Sequence, residues 1–148
     1  MTDKRFYLST DLPAPVPEAD GLDAPYWKGT REGRLMIQRC KHCETWQWGP
    51  EWICHRCRKF DVAWEEVTSQ GRIYSWERTW HPPMATLKES VPYLTVLVDL
   101  PHAGGVRMVG NLLGDPLQEV RMGAEVKAVF EPHDEGPVPY TLVQWEYK

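Results

Sequence analysis

The chain has 148 residues, 42% of them hydrophobic and 26% charged, with a formal net charge of -4 at pH 7. That size suits one compact domain or two small modules sharing an interface, and no run of about 18 apolar residues is present that would span a membrane. Thirteen prolines, eleven glycines and eight tryptophans point to short strands, frequent turns and large aromatic contacts rather than long helices.

Residues 1–23 carry Pro13, Pro15 and Pro17 among acidic residues and little apolar content. They are expected to form an extended arm, disordered or laid along a partner surface, because the segment has no core of its own. A short helix is predicted over about 26–34, with Pro25 at its first position and Gly33 as its stop. Tyr26 and Trp27 lie on it, facing either the following module or a partner. Leu35 and Ile37 then begin a strand that runs into Cys40.

Four cysteines follow as two pairs, Cys40 and Cys43, then Cys54 and Cys57, and the chain has no others. A two-residue gap turns both thiolates of a pair onto one ion, and the second pair completes a closed tetrahedral shell. One structural zinc site is therefore expected, although four thiolates hold iron as readily. The N-terminus shows no signal peptide, so a disulfide framework is not expected. His42 and His55, inside the pairs, point away from the metal in such a turn. Glu44 and Arg58 occupy the positions after each pair where glycine is common, since the backbone there turns into the left-handed region. Between the pairs, Trp46 and Trp48 share one strand face.

A ribbon of this size cannot bury enough surface to fold alone, and metal binding supplies on the order of 10–16 kcal/mol to such a module. It is also the basic part of the chain. Within 39–59, five basic residues (Arg39, Lys41, Arg56, Arg58 and Lys59) exceed the two acidic ones by three. Four thiolates on Zn²⁺ offset most of that excess, leaving too little for a nucleic-acid footprint.

After Asp61 the hydrophobic period becomes two. Strands are predicted over 67–80, 93–100, 106–113, 124–130 and 141–147, with a hairpin loop at 101–105 and bulges or bends at Gly71 and Gly110. The fold class is thus mainly β: a short N-terminal helix and zinc ribbon (24–62), then a five-stranded OB-fold barrel (63–148). Tyr74, Trp76, Arg78 and Trp80 alternate on one predicted face. Such a face can stack bases, but residues 61–148 are net -6, so a partner-facing or core-facing role is preferred.

Tyr26 to Leu35, the four cysteines, Gly71 to Ser75 and Met122 to Phe130 together resemble one family, the zinc-ribbon (rubredoxin-like) plus OB-fold proteins numbered 35 among domains of unknown function. The similarity covers roughly residues 24–147. It implies a non-catalytic accessory subunit, cytoplasmic, that binds a thiolase-like catalytic subunit in a hetero-oligomer and helps shape the site for a CoA thioester. A benzoylsuccinyl-CoA thiolase-like complex is one such setting; a steroid side-chain acyl-CoA aldolase is the alternative within the class. In this picture Arg56, Arg58 and Lys59 meet the CoA phosphates. The sequence has no GxSxG, P-loop, Rossmann glycine pattern or HExxH, and His81, His102 and His133 stand in ordinary surface settings without a nucleophile nearby in sequence. A single-stranded nucleic-acid or nucleotide-binding OB module is the reading from another class.

Overall fold

The computed structural model describes residues 6–148; the first five residues of the expected arm lie outside it. The architecture is mostly β, with one short helix, a three-stranded ribbon sheet and a nearly closed five-stranded antiparallel barrel.

Helix α1 spans Ala24–Arg31. Pro25 sits in its first turn and Gly33 follows its end at φ 71°, a left-handed conformation that suits glycine. Gly33 N–H donates to Thr30 O and Arg34 N–H to Gly29 O, so these two carbonyls are satisfied as the chain turns into β1 (Leu35–Cys40). The ribbon sheet has the order β2-β1-β3, with β2 at Trp46–Gln47 and β3 at Val62–Val67.

β3 is where the structure differs from the pattern reading. The strand expected over 67–80 is interrupted at Thr68 and Ser69: β3 pairs along the whole of β1, and only β4 (Gln70–Thr79) enters the barrel. The remaining barrel strands are β5 (Tyr93–Leu100), β6 (Val106–Asn111), β7 (Glu125–His133) and β8 (Tyr140–Tyr147). Their order is β6-β5-β4-β7-β8, and a parallel bridge between Leu112 and Trp145 draws β6 and β8 together. That is the OB-fold arrangement.

The hairpin loop expected at 101–105 is present, ending in Gly104 and Gly105 at φ 65° and 75°. Gly71 and Gly110 are not bulges. They are close approaches: a Cβ at Gly71 would stand 2.6 Å from Asp99 O, and one at Gly110 2.7 Å from Trp145 Cδ1. The bulge instead falls between Ile73 and Ser75, which separates Tyr74 from the residues expected to share its face. Trp76 stands opposite buried Val96 and Arg78 opposite buried Leu94, whereas Tyr74 carries the Arg107 guanidinium 3.6 Å above its ring.

One apolar core runs through both parts. Leu35 and Ile37 of β1 join Ile73, Leu94, Val96, Val98, Met108, Val126 and Trp145 of the barrel, with Trp46 and Trp48 packed at its margin. At Phe6 and Tyr7 the N-terminal arm contacts this same barrel. Leu94 N–H donates to the Tyr7 hydroxyl, Tyr7 N–H donates to Glu131 Oε2, and Phe6 stacks on His133 at 4.2 Å. His133 is therefore not an ordinary surface residue: it is sandwiched between Phe6 and Tyr140, with Nε2 2.8 Å from Glu131 Oε1.

Candidate metal centre

The four cysteine sulfurs lie within 4.8 Å of one another, with Cys40 and Cys57 3.6 Å apart and Cys43 and Cys54 also 3.6 Å apart. A tetrahedral shell with Zn–S bonds of about 2.3 Å separates its sulfurs by roughly 3.8 Å. A disulfide would hold them near 2.05 Å. The donor set therefore fits a closed four-thiolate zinc site, which holds structure and leaves no position for water or substrate.

Two equivalent turns build the site. In the first, Glu44 N–H donates to Cys40 O and Cys40 N–H to Thr45 O; in the second, Arg58 N–H donates to Cys54 O and Cys54 N–H to Lys59 O. Both turns need a left-handed residue after the second cysteine, and Glu44 and Arg58 adopt it at φ 59° and 61°. The amides of His42 and Cys43 point at Cys40 Sγ from 3.4 and 3.5 Å, favouring the thiolate. The Thr45 hydroxyl, 3.2 Å from Cys43 Sγ, and the Thr45 N–H bring the Cys43 thiol down to about 6. Hydrogen bonding from Cys57 N–H lowers Cys54 as well. Against a lowering hydrogen bond from Lys59 N–H, desolvation and the three neighbouring sulfurs push Cys57 up to about 12. Sulfurs this crowded retain a proton until a cation replaces it.

His42 and His55 stay outside the sulfur cluster. His42 Nδ1 is 3.3 Å from Lys59 Nζ, and His55 Nδ1 is 3.1 Å from Gln47 Oε1. The second turn is held by a buried network invisible to motif reading. Gln38 donates to Glu51 O and accepts from Glu51 N–H, while Gln47 donates to Gln38 Oε1 and to Ile53 O and accepts from His55 N–H. Both glutamines are almost fully buried, so this network is satisfied at every step. Alternation in Gln38-Arg39-Cys40 and Trp46-Gln47-Trp48 was its only available signal.

Arg56, Arg58 and Lys59 are exposed on and just beyond the second turn, flanked by Trp52 and Phe60, which are 64% and 80% exposed. Trp46 and Trp48 are instead used internally. Trp48 packs on Tyr26 at 4.9 Å, and Trp46 lies beneath Arg39 and against Gly104. Among the described residues no helix is long and apolar enough to cross a membrane.

The fold and the four-thiolate site together define a zinc-ribbon plus OB-fold protein. The chain belongs to the ChsH2 family of domain-of-unknown-function-35 proteins: residues 27–63 match the ChsH2 rubredoxin-like zinc ribbon domain and residues 64–131 the ChsH2 C-terminal OB-fold domain. A solved chain described as "Ltp2-ChsH2(DUF35) aldolase" is 29% identical, with 88% of this chain and 98% of that chain covered and a TM-score of 0.72. A DUF35 domain-containing scaffold protein of Methanocaldococcus jannaschii is 27% identical over 121 residues, covering 77% of this chain and 83% of that protein. A "Probable enoyl-CoA hydratase alpha subunit" of Thermomonospora curvata is 32% identical over 112 residues, 76% of this chain. This chain spans about a third of that relative, 34% of its length. A Sulfolobus solfataricus DUF35 structure at 14% identity and TM-score 0.61 shares the fold.

Proposed function

We propose that this chain is a non-catalytic, zinc-binding accessory subunit of a thiolase-type complex acting on a CoA thioester, stabilising the catalytic subunit and its CoA site. The observation that carries the reading is the likeness along nearly the whole of a ChsH2(DUF35) chain described as part of an aldolase. The chemistry of this chain agrees with it. All four cysteines are gathered in one closed cluster, so none of them is free to act as a catalytic nucleophile while the site is filled. In this reading 1–23 form the arm, 24–62 the helix and ribbon module, to which β3 adds residues up to Val67, and the rest of 63–148 the barrel. Arg56, Arg58 and Lys59, exposed beside Trp52 and Phe60, are assigned to the CoA phosphates at the subunit interface, and the complex is cytoplasmic.

Two partners fit this role. A thiolase, of which a benzoylsuccinyl-CoA thiolase is one example, forms or cleaves a carbon–carbon bond with CoA. An acyl-CoA aldolase of steroid side-chain degradation cleaves one by retro-aldol chemistry, and the aldolase description of the similar chain favours it. Affinity purification of the tagged chain from its native host tests the assignment: co-purification of a catalytic subunit of the thiolase or acyl-CoA aldolase type in fixed stoichiometry is expected. Recovery of a stable, lone monomer would refute it.

A further inference from the structure

We infer that the outer edge of β4, from Tyr74 to Thr79, takes up an extended segment of the catalytic partner as an additional strand, with a Lys or Arg of that segment against Glu77 and apolar side chains against Trp76 and Trp80. The inference rests on the accessory-subunit reading and locates where that subunit binds.

β4 is ten residues long, but β7 pairs only with Gln70, Gly71 and Arg72, and the loop at Gly123 and Ala124 closes the edge at Ile73. Beyond Ile73 the strand continues through six more residues bonded to β5 alone. In an antiparallel ladder the amides of a strand point alternately to its two sides. Those of 74–79 that point away from β5 meet no backbone partner among the described residues. Among the described residues, the hydrogen bonds from this stretch to the neighbouring loop come from a side chain, Arg78, which donates to Pro116 O and Gln118 O.

Burial changes at the same point. Residues 70–73 alternate exposed and buried, whereas Tyr74, Ser75, Trp76 and Glu77 are all exposed. Beyond the bulge the strand thus runs past the point where β7 and the 123–124 loop close the barrel, with exposed aromatics and an unpaired edge. An edge of this kind is ordinarily blunted or used, and addition of an extended strand supplies the backbone complement it lacks. The side-chain chemistry narrows the occupant. Trp76 and Trp80 remain 37% and 57% exposed. Arg78 is committed to two carbonyls, while Glu77 has no ion-pair partner among the described residues. Residues 61–148 are net -6. That charge disfavours a second copy of this barrel, and a polyanion, on the same edge, and selects a strand carrying a cation.

The test is amide hydrogen exchange on the chain alone and in the complex purified through it. Co-purification of the catalytic subunit answers the accessory reading by itself; its absence overturns both ideas. In the complex, the amides of 74–79 that point away from β5 are expected to exchange at least tenfold more slowly than in the free chain. A complex in which they are unchanged overturns the inference and leaves the accessory role standing. Protection that grows with concentration of the free chain, or on adding a single-stranded oligonucleotide, also overturns it. Glu77→Lys, at an exposed position, is expected to weaken subunit affinity at least tenfold with zinc content and melting temperature unchanged, and unaltered affinity counts against the proposal.

Discussion

Trp46 in the ribbon lies so close to Gly104 in the barrel hairpin that a Cβ at position 104 would stand 2.9 Å from the indole Cδ1. The contact joins two sheets that share no strand, and it needs a residue that is both small and left-handed, at φ 65°. Gly104→Ala is therefore expected to lower stability by about 1–3 kcal/mol through forced displacement of the indole. Thermal unfolding followed by tryptophan fluorescence reads the change, and a melting temperature equal to that of the unmodified protein would show the contact to be dispensable.

Zinc affinity is expected to fall with acidity. All four sulfurs must be thiolates to bind the ion, and Cys57, pushed up to about 12, keeps its proton at neutral pH until zinc displaces it. Each displaced proton weakens binding by about tenfold per pH unit of acidification. As the pH drops through about 6, the Cys43 thiolate also becomes protonated and the dependence steepens. Chelator competition at a series of pH values measures this; a flat profile would contradict it. One zinc per chain is expected, and Cys57→Ser is expected to lose it.

Glu44 and Arg58 hold a left-handed backbone that disfavours a side chain by about 1–2 kcal/mol, while glycine costs about 0.4–1 kcal/mol more entropy on folding. Glu44→Gly should accordingly be neutral or stabilising by up to about 1.5 kcal/mol. The exposed Arg39–Glu44 contact at 3.5 Å removes little from that balance. Glu44→Val should be destabilising by at least about 1 kcal/mol, because a β-branched residue fits this region worst. Chemical denaturation of the two variants distinguishes them, and equal midpoints would contradict the argument.

Tyr7→Phe removes the hydroxyl that accepts the Leu94 N–H. Leu94 is fully buried, so its donor is left unsatisfied at a cost of about 1–3 kcal/mol. Faster proteolysis within residues 6–23 should accompany the loss in melting temperature. A variant as resistant as the parent would show that Phe6 and Glu131 hold the arm without this bond.

What was legible in the sequence was local. The cysteine spacing gave the metal site and the strain at Glu44 and Arg58, since each turn is closed within a few residues. Alternation gave the barrel strands, Pro25 and Gly33 the helix. β3 is not legible as a separate strand because its burial does not alternate and its partner, β1, starts at Leu35, 27 residues before β3 starts at Val62. Nothing in composition marks the bulge that turns Tyr74 away from Trp76, since it arises from the register between β4 and β5. The Gln38–Gln47 network and the stack around His133 depend on chain segments that meet only after folding.

Because Leu35 and Ile37 belong to the core of the barrel while Cys40 belongs to the metal site, synthesis imposes an order on assembly. Every ribbon strand and every thiol precedes Gln70, where the first barrel strand begins. The ion can thus be captured on a short hairpin as it leaves the ribosome, before the distant pairing of β4 with β7 is available. Leu35 and Ile37, on the strand that ends at Cys40, therefore stand in the chain ahead of every barrel strand they pack against.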